Sequence, residues 1–263
     1  MNIAIIGYGR MGKMIERTAR EEGHRIVTVV DPLLPDSAAP AGSRAFKTVE
    51  EAENLNEADA AVEFTRPGTA VANIMALVKR KIPLVVGTTG WYDKMTVVKE
   101  AVEAAGTSLV WSSNFSLGVN VFYRIAWYAS RLADSFPEYD IGGYELHHNK
   151  KMDSPSGTAK TLVEGVLSRT GRKKRAVWDI LERQPAADEL HYPSLRIGAA
   201  PGTHTLILDS PADTIEITHR ARNREGFASG AIRAALWLID PGTKGPRRGV
   251  FTLDEMLGEI LGV

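Results

Sequence analysis

Asn2-Ile-Ala-Ile-Ile6 runs directly into Gly7-Tyr-Gly9-Arg-Met-Gly12, and that junction constrains the fold more than any other stretch. The apolar run suits a strand buried on both faces, and Lys13 to Glu22 then spaces Met14, Ile15 and Ala19 as a helix does. A second β-branched strand, Arg25 to Val30, stops at Asp31-Pro32. Three glycines between strand and helix have separate uses. Gly7 allows a tight turn, Gly9 lets backbone approach a pyrophosphate, and Gly12 lets the helix pack on the strand. A phosphate then lies at a helix N-terminus, where unpaired N–H groups and the dipole favour an anion. Asp31 follows at about the distance at which an acid accepts the ribose hydroxyls, and its charge repels a 2′-phosphate. The neighbouring residue is Pro32 and not an arginine, so the expected cofactor is NADH, with NADPH possible and Arg10 best placed to weaken the preference.

Two further strand-to-helix units follow a Pro/Ala/Ser/Gly-rich stretch at 32–47 that reads as a loop. Ala60-Ala-Val-Glu-Phe64 leads through Thr65-Arg-Pro-Gly68 into a helix ending near Arg80, with Pro67 suited to its first turn. Pro83-Leu-Val-Val86 leads through Gly87-Thr-Thr-Gly90 into a helix ending near Ala105, and Ser108 to Ser112 is another strand before Ser113-Asn-Phe-Ser116. The alternation predicts a Rossmann-type, doubly wound parallel α/β sheet whose ligand sits beyond the carboxyl ends of the strands. The turns at Gly7, Arg66, Thr88 and Asn114 should therefore face one crevice.

The alternation stops at Leu117, where a long helix reaches Asp134. Tyr139 to His148 begins as a strand, Thr158 to Ser168 is helical, and Arg172-Lys-Lys-Arg175 opens a polar segment read as a solvated loop. Leu195 to Ala200, His204 to Asp209 and Thr214 to Arg220 read as antiparallel strands with turns at Pro201-Gly202 and Pro211-Ala212. Phe227 to Ile239 is an amphipathic helix with Ile232, Leu236 and Trp237 on one face, Gly242 to Gly249 a loop, and Leu253 to Leu261 a last helix. This divides the chain into a dinucleotide-binding domain at 1–114, an α+β domain with an open mixed sheet at 115–226, and C-terminal helices at 227–263 that return to the first domain.

Equal numbers of basic and acidic residues, 32 each, argue against nucleic acid as the partner, because phosphate neutralisation needs a cationic surplus. With Cys at 0, disulfides and thiolate metal sites are excluded, which suits a cytoplasmic enzyme. No apolar run approaches the roughly 18 residues of a membrane span, and no export signal opens the chain.

The densest chemistry lies in Glu145-Leu-His-His-Asn-Lys-Lys-Met-Asp-Ser-Pro-Ser-Gly-Thr-Ala159. Hydride delivery to an unsaturated carbon develops negative charge on its neighbour, and His147 or His148 could supply the proton needed there. Lys151 offers a fixed positive charge or a second proton. The Ser154-Pro-Ser-Gly-Thr158 turn opens a helix whose N–H groups can hold a carboxylate. His148, Lys151, Gly157 and Thr158 thus describe a receptor for a small carboxylic acid, and Arg224 is a natural second anion clamp. As a metal site the imidazole pair lacks a third ligand at usable spacing, though His204 and His219 could approach in space. No metal is expected.

This stretch resembles the signature of bacterial dihydrodipicolinate (4-hydroxy-tetrahydrodipicolinate) reductases, NAD(P)H-dependent enzymes of the diaminopimelate route to lysine. Glu63-Phe-Thr-Arg-Pro67, Val86-Gly-Thr-Thr-Gly90, Asn114-Phe-Ser-Leu-Gly-Val-Asn120, Ile217-Thr-His219 and Phe227-Ala-Ser-Gly-Ala-Ile-Arg-Ala-Ala-Leu-Trp237 extend the likeness in family order. The resemblance implies His147 as the general acid/base and Lys151 as the catalytic lysine. It implies that His148, Gly157, Thr158 and Arg224 hold a small dicarboxylate substrate. Cofactor contacts would come from Gly7, Tyr8, Gly9, Arg10, Met11, Gly12, Asp31, Gly87, Thr88, Thr89, Ser112, Ser113, Asn114 and Phe115. It also implies a cytoplasmic homotetramer assembled through the C-terminal sheets. Three positions depart from the pattern: the glycine loop is a compact Gly-Tyr-Gly form, Pro32 stands where a basic residue often follows the acid, and Thr203 stands where an acid commonly precedes His204-Thr205. A related amino-acid or keto-acid dehydrogenase would share the domain plan without needing the His-His-Lys-Gly-Thr arrangement. A non-catalytic NADH-binding redox sensor would need only the first domain.

Overall fold

Burial on both faces makes the N-terminal apolar run a central strand: Ile3, Ala4 and Ile5 are inaccessible to solvent in the computed structural model, which describes residues 1–35, 39–240, 242 and 247–262. The chain divides into two units, Met1–Ser116 with Arg224–Val263, and Leu117–Asn223. In the first unit, β1 (Asn2–Ile6), α1 (Arg10–Glu21) and β2 (Arg25–Val30) form the opening βαβ. β3 (Arg44–Phe46), β4 (Ala60–Glu63), α2 (Pro67–Lys79), β5 (Leu84–Val86), α3 (Met95–Ala105) and β6 (Ser108–Trp111) follow. Pro67 occupies the first turn of α2, where its missing N–H costs no helical bond. The stretch expected to be a loop at 32–47 instead ends in β3, which pairs parallel with β2 through Thr28, Val29 and Val30; residues 36–38 lie outside the described residues. It is a three-residue edge strand with an exposed Arg44, too short to carry a period-2 signal.

The second unit opens with α4 (Leu117–Ala133), then β7 (Asp140–His147), α5 (Gly157–Leu167), β8 (Arg175–Val177), β9 (Glu189–His191), β10 (Ser194–Arg196), β11 (Thr203–Asp209) and β12 (Thr214–Arg220). Its sheet has the order β10-β7-β11-β12. Phe122, Tyr123 and Ala126 of α4 and Leu162, Val163 and Val166 of α5 pack with Ile141, Leu206 and Leu208 of the sheet in one buried cluster. Two expectations fail here. β10 is not part of an antiparallel meander: it pairs parallel with β7, because Pro201-Gly202 returns the chain to the far side of β7. The basic run at 172–175 is not a solvated loop. Lys173 is 4% exposed, donates to the carbonyls of Ala187 (3.0 Å) and Glu189 (2.7 Å), and pairs with Asp140 at 2.5 Å, while Arg172 donates to Ala133 O at 2.9 Å. Arg175 begins β8, which pairs parallel with β9.

The chain then re-enters the first unit through α6 (Glu225–Ile239), β13 (Gly249–Thr252) and α7 (Leu253–Leu261). α6 packs against α1 and against β4, β5 and β6. Ile232 and Trp237 are buried as expected, but Leu236 is partly exposed, since Ala228, Ala231 and Ala235 supply most of the contact face. β13 pairs parallel with β6, giving a seven-stranded sheet of order β13-β6-β5-β4-β1-β2-β3 with every pairing parallel. Its first residue, Gly249, closes the stretch 242–249 expected to be a loop, of which 243–246 lie outside the described residues. Thr252 caps α7 in a reciprocal capping box with Glu255. The unit boundaries fall at Ser116/Leu117 and Asn223/Arg224, so Arg224, expected in the α+β domain, belongs to the nucleotide unit as the residue preceding α6. Among the described residues no helix is long and apolar enough to cross a membrane.

Candidate active site

The glycine loop of the first unit has the steric logic of a dinucleotide cradle. Gly7 adopts φ +92°, and a Cβ there would lie 2.3 Å from Phe64 O; a Cβ on Gly12 would lie 2.2 Å from Gly7 O. Those two glycines are required by packing. Gly9 is not, since a Cβ there would meet no protein atom within 4 Å, and close approach of a ligand is the remaining reason for it. Gly9, Arg10 and Met11 line a cleft of about 340 Å³ at the N-terminus of α1. Its other walls are Phe64, Thr65 and Pro67 after β4, Gly87, Thr88 and Thr89 after β5, and Arg224. Three of the four strand-end turns meet there. The fourth does not line it: Ser112, Ser113, Asn114 and Phe115 form a closed turn in which Asn114 N donates to Ser112 Oγ (3.0 Å) and Ser116 N to Asn114 Oδ1 (2.9 Å). Phe115 is buried with its ring 6.0 Å from that of Phe64.

Asp31 lies at the end of β2, outside the cleft lining. Its Oδ2 accepts from Tyr8 N at 2.7 Å and its Oδ1 from Leu33 N at 2.8 Å, which fixes the carboxylate beside the glycine loop with further lone pairs to offer a ribose. The Tyr8 hydroxyl donates to Glu16, and its pKa is pushed up by burial and by that carboxylate. Glu63, at the end of β4, is fully buried, and burial raises its pKa. It accepts from the Thr65 hydroxyl, while Thr65 N donates to Thr88 Oγ1 at 2.7 Å, so this carboxyl braces two walls of the cleft.

In the second unit, strand register assembles the chemistry. Glu145 and His147 alternate onto one face of β7. Glu145 stands opposite Ser194 of β10 and His204 of β11; His204 stands opposite His219 of β12, and His147 opposite Arg196. The Glu145 carboxylate, inaccessible to solvent, accepts from Ser156 N (3.0 Å), Ser194 Oγ (2.7 Å), Arg196 Nη2 (3.2 Å) and the Ser156 hydroxyl. Burial opposes its ionisation, but the bonds from Ser156 and Ser194 outweigh it and hold the group below the usual carboxylate range. His147 Nδ1 lies 3.4 Å and His204 Nδ1 3.9 Å from Glu145 Oε2. Burial lowers the pKa of both rings, to about 3 for His204, and Lys151 adds to the effect on each. Both imidazoles are therefore neutral beside an ionised carboxylate at neutral pH.

The remaining members surround this row. Lys151 Nζ contacts both oxygens of Asp153 at 2.8 Å, and that bond holds Asp153 below its ordinary range. His148 follows His147 and accepts, through its carbonyl, from Lys151 N at 3.1 Å. Ser156 caps α5 by accepting from Ala159 N at 3.1 Å, and Gly157 and Thr158 form its first turn. Gly157 is exposed, and a Cβ there would meet nothing within 4 Å, so there is open space beside the N-terminal turn of α5. Glu145, His147 and His204 bring ligand atoms within 4.8 Å of one another, so His204 does approach from across the sheet, but the group it joins holds Glu145 and not His148. Four donors including Arg196 already saturate the carboxylate, however, and a cation would have to displace them. The set is better described as a buried, satisfied carboxylate with two imidazoles beside it.

Sequence reasoning singled out His147, His148, Lys151, Gly157 and Thr158, gave Glu145 a supporting role, named His204 only as able to approach in space, and passed over Ser156, Ser194, Arg196 and Gly202 as site residues. Gly202 has φ +149°, and a Cβ there would lie 3.0 Å from His147 Nε2. The alternation of Glu145 with His147 was readable locally; the pairing partners were not.

Residues 1–115 match the model of the dihydrodipicolinate reductase N-terminus, and residues 118–257 match that of the C-terminus. The chain belongs to the dihydrodipicolinate reductase family. It is an NAD(P)H-dependent oxidoreductase of the diaminopimelate route to lysine. A 4-hydroxy-tetrahydrodipicolinate reductase of Christiangramia forsetii is 37% identical, with 99% of each chain covered. One from Methanoregula boonei is 33% identical over 95% of this chain and 94% of its own. Among solved structures, the dipicolinate-bound dihydrodipicolinate reductase of Paenisporosarcina sp. TG-14 superposes with a TM-score of 0.77 at 22% identity, covering 96% of this chain and 97% of that one. An engineered D-amino acid dehydrogenase bound to NADP+ shares the fold at a TM-score of 0.58 and 14% identity, over 96% of this chain and 93% of its own. The fold is thus shared with a dehydrogenase outside the reductase family.

Proposed function

We propose that this reductase uses His147 as proton donor and Lys151 as electrostatic partner in the reduction of a cyclic, unsaturated dicarboxylate, the 4-hydroxy-tetrahydrodipicolinate of its relatives. The nicotinamide cofactor supplies a hydride to the ring. His147 delivers a proton from Nε2 to the adjacent carbon. Lys151 neutralises charge as it develops, releasing Asp153 to do so. His148 and the N–H groups of Gly157 and Thr158 hold one carboxylate, and Arg224 serves as the second anion clamp. The observation that carries this reading is the seating of His147: its Nδ1 lies 3.4 Å from the Glu145 carboxylate, and its Nε2 lies on the side of Gly202, where a Cβ would come within 3.0 Å of it. The dipicolinate in the Paenisporosarcina relative supports a dicarboxylate of this shape.

Gly7 to Gly12, Asp31, Gly87 to Thr89 and Ser112 to Phe115 form the cofactor set of this reading, with NADH favoured over NADPH by the Asp31 charge. A cytoplasmic homotetramer assembled through the second unit's sheets is proposed on the family resemblance, with neither a bound metal nor a nucleic-acid partner. The test is steady-state kinetics with freshly condensed aspartate semialdehyde and pyruvate, followed at the absorbance of NADH. His147→Gln lowers kcat by about 10²- to 10⁴-fold with KM for NADH unchanged, the usual range for loss of a general acid. An unchanged kcat removes His147 from the role, and a higher kcat/KM for NADPH than for NADH in the parent defeats the cofactor preference.

A further inference from the structure

A carboxylate buried in the middle of a strand is expensive, and an apolar residue of similar volume usually serves stability as well or better. Glu145 nevertheless occupies such a position on β7, satisfied by donors from two separate places, the N-cap of α5 (Ser156) and β10 (Ser194 and Arg196), with His147 of its own strand 3.4 Å away. Two of these connections matter for chemistry. Oε2 faces His147 Nδ1, and both Ser156 bonds tie the same carboxylate to the turn that opens α5, where Gly157 and Thr158 begin the helix.

We infer that Glu145 is the positioning residue for proton transfer: it orients the His147 ring and, through Ser156, fixes the spacing between that ring and the carboxylate-binding turn of α5. This rests on His147 being the proton donor. An ionised carboxylate only accepts hydrogen bonds, so it selects the tautomer with the proton on Nδ1 and leaves Nε2 as the atom that exchanges protons with substrate. The same charge stabilises the imidazolium that His147 must form before it can donate. The 3.4 Å separation is loose for a hydrogen bond, as catalytic contacts often are before substrate closes on them.

The groups facing the His147 ring show why the acid is needed. Lys151 from the following loop and Arg196 from β10 both disfavour the imidazolium, His204 of β11 packs edge-on with ring centroids 5.2 Å apart, and His219 of β12 lies beyond it. Glu145 and the more distant Asp153 are the acids that oppose them. Without Glu145 the balance of charges around the ring shifts further against the imidazolium that proton donation passes through.

The experiment compares pH profiles of kcat for the parent, Glu145→Gln, Glu145→Asp and His147→Gln. As an acid, His147 is active below its pKa, so activity falls along a basic limb as pH rises through it. Glu145→Gln removes the charge that favours the imidazolium. Its basic limb is expected to move down by about one pH unit, with kcat at neutral pH lower by at least about tenfold and KM for NADH unchanged. Glu145→Asp keeps the charge, and its limb stays with the parent's. A Glu145→Gln enzyme that loses activity while its limb stays in place overturns the inference, because loss of structure alone does not move a limb. Normal turnover in His147→Gln would instead sink the proton-donor reading, whatever the Glu145 variants did. Nitrogen-15 spectra of histidine-labelled parent, with His147 assigned by its absence in His147→Gln, provide a check needing no Glu145 variant. An Nδ1-protonated neutral ring is expected, and an Nε2-protonated one overturns the inference.

Discussion

Replacing Gly202 by alanine separates the geometry of His147 from its chemistry. Two effects combine in this substitution. The backbone at φ +149° is one that side-chain-bearing residues rarely adopt, which costs roughly 1–3 kcal/mol. For a chain of this size that lowers Tm by about 2–4 °C per kcal/mol. The new methyl would also lie 3.0 Å from Nε2 and 3.3 Å from Cδ2 of His147, so the ring has to give way by a few tenths of an ångström. The ring is held between Glu145 and His204 and is only 8% exposed, so it has little room to retreat without turning Nε2 off line. A full ångström of misplacement can cost about 10²-fold; a few tenths should cost about three- to tenfold in kcat. Thermal unfolding and steady-state kinetics on one preparation read both effects. If Tm falls as expected but kcat is unchanged, Nε2 is not the atom that exchanges the proton. A matching rise in KM for NADH would place the damage in the nucleotide unit and refute the local argument.

Asp153→Asn frees Lys151 from a partner that the substrate carboxylate must otherwise displace. The pair is solvent-exposed on the aspartate side, at 59%, so it is worth no more than about 1 kcal/mol. KM for the dicarboxylate should fall by up to about fivefold, and an unchanged or raised KM means the two carboxylates do not compete. His204 carries a pH dependence of the opposite kind. Burial lowers its folded pKa from 6.5 to about 3, so protons bind the unfolded chain more readily between those values. Its contribution to stability is complete above pH 6.5 and is lost as pH falls below it. Urea unfolding at pH 8 and pH 5 should show a smaller loss in His204→Asn than in the parent, and equal losses would count against the buried neutral ring.

Local signals exposed much of this molecule to reading. The β1–glycine–α1 junction was legible because strand, turn and helix each announce themselves within a few residues, and so was the His147–Thr158 segment. What escaped reading depends on distant partners. β3 and β13 are three- and four-residue edge strands whose identity comes from pairing with β2 and β6. Lys173 looked like one of several solvated cations, and only the carbonyls of Ala187 and Glu189 make it a buried one. Glu145 was undervalued for the same reason. Its partners Ser194, Arg196 and His204 reach it by strand register, and no spacing within the segment encodes that register.

The discontinuity of the first unit has a consequence in time. The sheet that forms the nucleotide cradle lacks its edge strand β13 and its covering helix α6 until the chain beyond Arg224 has been made. The second unit is continuous in sequence and complete at Asn223. On a translating ribosome the later-encoded unit is therefore the first able to finish folding. At about 5–20 residues per second, a parallel sheet with six of its seven strands made by Trp111 waits roughly 7–30 seconds for β13. During that interval β6 presents an open edge, and the nascent chain is at its most vulnerable to aggregation there.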